Sequence, residues 1–322
     1  MMVTFRGGTR SLISQANAFT ERLRERLSPG AVLRQDEPLA KRTTLRVGGP
    51  ADVLVEPSSV QDLAVVLETC AQDGMPLTVI GRGSNLLIKD GGFRGVVVCL
   101  SNPSFSFIEP VGQCLRAGAG ARLKQVAIEA RNLNWEGFEF LEGIPGTVGG
   151  ALRMNAGAMG SCLFDLVDTV QFMEMSGRVV SKAGRELGAV YRSCEFFENH
   201  IALWAMLRGR AGARVAIEER MNEFSQKRWA SQPAAPSAGC MFKNPSSGAA
   251  GKLIDELGLK GLQVGGARVS QEHANFLVTD GTATAADVIK LMELVREKVK
   301  AASGITLESE VRIIGEDVAN QT

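Results

Sequence analysis

The sequence predicts an α+β fold, on three observations. Through Trp135, strand-like and helix-like segments alternate irregularly, without the strict rhythm of a doubly wound sheet. The stretch that reads like a dinucleotide fingerprint, Val79-Ile80-Gly81-Arg82-Gly83-Ser84-Asn85-Leu86, has no third glycine, and β-like Leu86-Leu87-Ile88 follows where a helix would start. The next strand also ends in Ser101-Asn102 without a ribose-binding acid, so a Rossmann site is disfavoured. Finally, a proline-rich loop, Gln232 to Ser237, marks a change of domain before a last helix and strand.

In chain order, residues 11–28 read as a short helix ended by Pro29-Gly30. Asp52 to Val55 is a strand. Ser59 with Asp62 resembles a capping box that opens a helix whose apolar face is Leu63, Val66, Leu67 and Cys70. Leu77–Ile80 and Val96–Leu100 follow as strands. Between Cys114 and Trp135 a strand leads into a helix with Leu123, Val126, Ala127 and Ala130 inward. Leu166 to Arg208 is strand-like, with Ser176-Gly177 as a hairpin turn. Arg214–Ala230 is a charged amphipathic helix. Thr284–Ala302 is a helix with Val288, Leu291, Val295 and Val299 as its inner stripe, stopped by Gly304 and followed by a strand from Ile305 to Ile314. Residues 1–34 thus form a connector, 35–212 a first domain, 213–316 a second and 317–322 a tail.

Composition excludes several function classes. The chain has 322 residues, 45% hydrophobic and 22% charged, enough to bury cores in two or three domains. A net charge of +1 with dispersed basic residues gives no footprint for nucleic acid. Six scattered cysteines without a CxxC pair, and two histidines, make neither a zinc site nor a disulfide framework, so no metal is expected. Buried thiols in a reducing compartment suit at least five of the six. No stretch approaches the roughly 20 apolar residues of a membrane span, and residues 1–28 hold no signal-peptide core. A soluble, cytoplasmic protein without membrane insertion is the expectation.

Two glycine-rich turns are the strongest chemical signal: Gly81-Arg82-Gly83-Ser84-Asn85 and Gly143-Ile144-Pro145-Gly146-Thr147-Val148-Gly149-Gly150. Main chain without side chains lets N–H groups converge on a phosphate, and two such loops could clamp a long phosphorylated ligand. Ordinary tight turns are the rival explanation. It suits the second loop poorly, because no acidic residue lies between Gly143 and Met154 to repel an anion.

Three further places carry polar groups. Tyr191-Arg192-Ser193 holds the sole tyrosine beside an arginine that is either a surface ion-pair partner or a fork of donors for a carboxylate or enolate. In Ser237-Ala238-Gly239-Cys240-Met241-Phe242-Lys243-Asn244-Pro245, small residues expose Cys240, with Lys243 and Asn244 close by for a phosphate. A loop cysteine that is simply buried is the alternative. In Leu307 to Ile314, alternation puts Glu310 and Arg312 on one face and Val311 and Ile313 on the other.

In order and content, Thr43-Thr44-Leu45-Arg46-Val47-Gly48-Gly49-Pro50-Ala51, the two glycine loops, Asn155-Ala156-Gly157-Ala158, Tyr191-Arg192-Ser193, Ser237 to Pro245 and Glu310-Val311-Arg312-Ile313-Ile314-Gly315 resemble the UDP-N-acetylenolpyruvoylglucosamine reductases, the MurB family. The resemblance implies a two-lobed FAD-binding domain of the vanillyl-alcohol-oxidase type over 35–212 and a C-terminal α+β substrate domain over 213–316. It implies NADPH-dependent reduction of the enolpyruvyl ether of UDP-N-acetylglucosamine to UDP-N-acetylmuramate, in peptidoglycan synthesis. The partners implied are the UDP-sugar substrate and NADPH. Gly81, Arg82, Gly83, Ser84 and Asn85, with Gly143, Ile144, Pro145, Gly146, Thr147, Gly149 and Gly150, match the FAD-binding loops. Arg192 and Glu310 match positions that stabilise the enolic intermediate, and Cys240 stands where the family most often has a serine proton donor. Tyr191, Lys243, Asn244, Arg312 and, more loosely, Arg228 match substrate-binding positions. Tyr191 is the sole tyrosine, so the lid tyrosine of some members is absent and the chain is similar to the shorter, lidless type. The rivals are another FAD oxidase or dehydrogenase of the same superfamily and a nucleotide-binding regulator without catalysis.

Overall fold

A computed structural model describes residues 9–318. Contacts divide the chain into two compact units: residues to Glu37 with 52–81 and 95–226, and residues 38–51 and 82–94 with those from Lys227 onward. This partition differs from the linear segments expected at 34/35 and 212/213. Two excursions of the N-terminal half supply Leu45, Val47 and Leu87 to the second core, and the helix Arg214–Ser231 stays with the first unit as far as Gln226.

Besides two short two-stranded sheets, the first unit holds two larger ones, of four and five strands. One has the strand order Val32–Pro38, Pro50–Glu56, Phe93–Cys99, Leu77–Ile80, the last two parallel. Helix Val60–Asp73 buries Leu63, Val66, Leu67 and Cys70, as its spacing predicts. Ser59 caps it, accepting from the Asp62 N–H at 3.0 Å. Asp62 does not complete the expected reciprocal box. Its carboxylate accepts instead from the main-chain N–H and hydroxyl of both Ser28 and Ser58, at 2.7–3.0 Å. Burial pushes this carboxyl up, but those hydrogen bonds outweigh it and hold it at about 2.

The other sheet is antiparallel, in the order Val179–Ala183, Val167–Glu174, His200–Arg208, Cys114–Gly118, Ile108–Val111. Ser176-Gly177 makes the expected hairpin, with Gly177 donating to the Glu174 carbonyl. Residues 184–199 are turns and 3-10 segments rather than strand. Val170, Phe172, Leu115, Ala205 and Leu207 share the core with Leu123, Val126, Ala127 and Ala130 of helix Leu123–Asn132.

The second unit is a sheet of Ser237–Cys240, Phe276–Thr279, Ala267–Val269 and Gln263–Val264 with helix Ala285–Ser303, whose Val288, Leu291, Val295 and Val299 are buried as predicted. Excursion residues are built into it. Leu86–Ile88 pairs in parallel with Arg312–Ile314, and Thr279 donates its hydroxyl to the Leu45 carbonyl at 2.8 Å. The Asp90 carboxylate accepts from the N–H groups of Ala285 and Ala286 at 2.8 and 2.9 Å, reinforcing the Thr284–Asp287 capping box.

Two expectations need correction. The long strand from Ile305 to Ile314 reduces to Arg312–Ile314, because 308–310 bonds to the loop after Cys240 instead. Val311 is buried but Ile313 is exposed, so the alternation fails there. Among the cysteines Cys70, Cys99, Cys114 and Cys194 are buried, one fewer than expected; Cys162 and Cys240 are half-exposed, and all six are free. Among the described residues no helix is long and apolar enough to cross a membrane, and no group of three or more His, Cys, Asp or Glu could hold a metal.

Candidate active site

In the second unit, a β-bulge presents Cys240. Ser237 pairs with Val278 and Cys240 with Phe276, so the first strand carries an extra residue between the two pairs. Gly239 absorbs it at φ +75, where an ideal Cβ would meet nothing within 4 Å; the glycine is there for its backbone conformation, not for space. Ala238 is buried and Cys240 turns to a cavity of about 510 Å³ that Asn244, Lys252, Glu272 and His273 also line.

The chain then runs antiparallel to 308–310. Glu310 donates its N–H to the Met241 carbonyl at 2.8 Å, and Lys243 donates to the Glu308 carbonyl at 2.9 Å. Cys240 and Glu310, far apart in sequence, therefore lie on adjoining stretches of backbone. Asn85 joins the same cluster. Its side-chain amide donates to the Glu310 carbonyl at 3.1 Å, and its own carbonyl accepts from Arg312 N–H at 3.1 Å. The Lys243 ammonium lies 3.4 Å from Glu308. Asn244 Oδ1 accepts from the Ala250 N–H at 3.0 Å and so caps helix Ala250–Glu256. Arg228, near the end of helix Arg214–Ser231, donates to Gln232 at 3.2 Å and sits over the Trp229 ring.

The first glycine loop is shared between the units. Gly81 belongs to the first unit, and exposed Arg82, buried Gly83 and half-buried Ser84 and Asn85 to the second. Gly83, at φ +62, lets the loop pass the main chain of Arg42 and Thr43, which a Cβ would strike at 2.4 and 2.7 Å.

In the first unit the two glycine loops adjoin. An ideal Cβ on Gly81 would lie 2.6 Å from Thr147 Oγ1, and one on Gly150 3.7 Å from the same hydroxyl. Gly81 and Gly150 are exposed and carry no side chain, and the hydroxyl beside both, on buried Thr147, makes no capping bond to helix Val148–Met154. That cradle fits an anionic diphosphate. Not every N–H of the loop is available to it. Val148 and Gly149 donate to the carbonyls of Ala121 and Ala119, Gly146 to Ile144, and Ile144 to Leu141. Pro145 is exposed and Gly143 half-buried.

The helix that this loop opens ends at Asn155, which holds the Tyr-Arg-Ser hairpin. Asn155 Nδ2 donates to the Val190 carbonyl at 3.1 Å, and Arg153 reaches Ser193 Oγ at 3.5 Å and the Cys194 carbonyl at 3.3 Å while pairing with Glu198. Val190 and Ser193 exchange main-chain bonds, leaving Tyr191 and Arg192 as the turn. Arg192 has φ +56 and lies 5.2 Å from the Tyr191 ring; Tyr191 is 57% exposed. A non-glycine residue held left-handed is a local strain of the kind that collects at functional sites.

Sequence reasoning did not single out Asn275. It is 2% exposed and bonds to both main-chain groups of Phe242. The signal in the sequence is a lone amide between Ala274 and Phe276, at the start of an apolar run. His273 accepts the Asn275 N–H on Nδ1 at 3.1 Å, which puts the proton of the neutral ring on Nε2; burial lowers its pKa.

The chain is similar to known proteins over most of its length. Residues 232–314 match the C-terminal domain family of UDP-N-acetylenolpyruvoylglucosamine reductase, and residues 51–182 match an FAD binding domain family. A curated relative from Paramagnetospirillum magneticum, named UDP-N-acetylenolpyruvoylglucosamine reductase, is 45% identical over 87% of this chain and 91% of its own length. One of the same name from Clostridioides difficile is 41% identical over 88% and 94%. The crystal structure of UDP-N-acetylenolpyruvylglucosamine reductase (MurB) from Thermus caldophilus is similar at a TM-score of 0.77 and 36% identity, over 88% of this chain and 98% of that one.

Proposed function

Because the chain belongs to the UDP-N-acetylenolpyruvoylglucosamine reductase family and carries an FAD-binding domain, we propose that it uses NADPH to reduce the enolpyruvyl ether of UDP-N-acetylglucosamine to UDP-N-acetylmuramate. The reaction is a cytoplasmic step of peptidoglycan synthesis. The observation that carries this reading is the Met241–Glu310 hydrogen bond, which sets Cys240 and Glu310 on neighbouring backbone, with Cys240 lining a cavity.

Bound FAD supplies the two-electron relay between NADPH and the enol ether. Gly81, Thr147 and Gly150 would hold its diphosphate, with Arg82, Gly83, Ser84, Asn85 and residues 143–146 and 149 completing the two loops. The enolpyruvyl double bond gains a pair of electrons and a hydrogen at C3, and negative charge grows toward its carboxylate. Arg192, rigid in its turn, offers that charge a fixed fork of donors. Glu310 steadies the same enolic group. Cys240 then transfers the thiol proton to C2, and the thiolate recovers a proton from solvent; a free thiol with a pKa of about 8.5 is mostly protonated at neutral pH. Tyr191, Arg228, Lys243, Asn244 and Arg312 bind the nucleotide sugar.

Single-turnover spectroscopy tests the reading. Purified protein should be yellow, NADPH should bleach it, and the enolpyruvyl nucleotide should restore the colour without oxygen. Colourless protein, or bleached protein that the nucleotide leaves unchanged, overturns it.

A further inference from the structure

We propose that Asn275 is the positioning residue of the proton-delivery loop: its carboxamide stands in for a missing β-strand beside Phe242 and so fixes where Cys240 presents its thiol. The proposal rests on the reading of Cys240 as proton donor.

The argument starts from the main chain after the bulge. In an antiparallel pair, successive residues turn their N–H and C=O groups alternately toward and away from the partner. Met241 turns its C=O and Lys243 its N–H toward 308–310, where they bond to Glu310 and Glu308; Phe242 opposite Ser309 is a non-bonded pair. The polar groups of Phe242 therefore face the other side. A buried peptide without partners is destabilised on both its N–H and its C=O.

On that side the ladder has stopped. The Ser237–Cys240 strand pairs as far as Cys240 with Phe276, and Ser270 to Asn275 curls away. The side chain of Asn275 fills the gap. Its Oδ1 accepts from Phe242 N–H at 3.0 Å and its Nδ2 donates to Phe242 C=O at 2.8 Å, the two bonds that a strand residue would make. The Asn275 carbonyl also accepts from Met241 N–H at 2.9 Å, and its N–H is taken by His273 Nδ1. All of its polar atoms are engaged in holding residues 241–242 or the turn behind them, and Asn275 is 2% exposed.

Cys240 lies between two constraints: the Gly239 bulge before it and the Asn275 clamp after it. The bulge turns the side chain outward. The clamp stops the following peptide from rotating and carrying the thiol with it. A proton donor must stay within hydrogen-bond reach of its acceptor, so a small displacement lowers the transfer rate. An aspartate in place of Asn275 keeps the shape but can no longer donate to the Phe242 carbonyl. An alanine removes both bonds.

The test separates the two half-reactions in holoenzyme. In Asn275→Asp and Asn275→Ala, NADPH should bleach the flavin within about twofold of the wild-type rate, because that step uses no thiol proton; recovery of colour on adding the enolpyruvyl nucleotide should slow at least tenfold. The double variant Asn275→Ala/Cys240→Ala should be no slower than Cys240→Ala alone, since a residue that acts through the thiol has nothing left to position. Equal slowing of both half-reactions, or losses that multiply in the double variant, overturns the proposal. So does failure of both single variants to fold with bound flavin, which would make Asn275 a residue of the fold alone. Wild-type enzyme that the nucleotide does not recolour refutes the reductase reading itself, and this proposal with it.

Discussion

The Tyr191-Arg192 turn and the Gly239-Cys240 bulge both present a polar side chain from left-handed backbone, but they place the strain differently. Arg192 itself takes φ +56, whereas at the bulge Gly239 takes φ +75 and Cys240 follows in the ladder. In the first unit the residue proposed to act on the substrate bears the unfavourable conformation, and Asn155 and Arg153 hold its turn. In the second unit the unfavourable conformation is delegated to a residue for which it costs little. Position 240 is then free to change chemically, and a thiol can stand where the resembling family most often has a hydroxyl. Position 192 has no such freedom.

The contrast can be broken by experiment. The largest effect is expected for Cys240→Ala, which should leave bleaching by NADPH intact and slow colour recovery by about 10²–10⁴-fold, the usual span for a lost general acid. Cys240→Ser should stay active. Arg192→Ala should lower turnover about 10²–10³-fold, as for loss of one donor to a developing anion. Arg192→Gly should lose as much activity yet gain up to about 1 kcal/mol in urea unfolding, because it relieves the strain. A less stable glycine variant would show that the turn is not strained.

Asp62 supplies a control remote from both presentations. Its carboxyl sits at about 2 in the fold against 3.8 ordinarily, so its contribution is complete above pH 3.8 and disappears as the pH falls toward 2. That contribution is about 2 kcal/mol. Asp62→Asn should therefore lower stability by about that much at pH 7 and flatten the acid limb of the unfolding curve, with both half-reaction rates unchanged. The smallest effect is expected at Gly239→Ala, about 1 kcal/mol of stability, accompanied by slower colour recovery. If recovery kept its full rate, the bulge would not be what aims Cys240.

What the sequence revealed was local. The stripe Val288, Leu291, Val295, Val299 with Gly304, the Ser176-Gly177 hairpin and the Ser59 cap were legible because the residues that decide them lie within a few turns of one another. The glycine loops and Cys240 were legible as unusual composition. Less legible was anything that depends on partners more than two hundred residues away: the pairing of Leu86–Ile88 with Arg312–Ile314, the bond from Asn85 to Glu310, and the place of Leu45 and Val47 in the second core. The strand expected from Ile305 failed for a different reason. Alternation describes side chains, whereas a strand needs a ladder, and the main chain of 308–310 finds its partners beside Cys240. Asn275 was missed because a single amide in an apolar run looks like any other polar residue until the peptide it grips is known.

The two excursions have a consequence during synthesis. Leu45 leaves the ribosome 234 residues before the Thr279 hydroxyl that its carbonyl will accept, an interval of roughly 10–50 s at ordinary elongation rates. Leu86–Ile88 likewise waits 224 residues of synthesis, from Ile88 to Arg312, for its mate, and a nascent chain released early would carry that stretch bare. Production of the intact polypeptide should therefore depend on chaperones that shield nascent chains, and a gene cut at codon 227 should yield two insoluble halves.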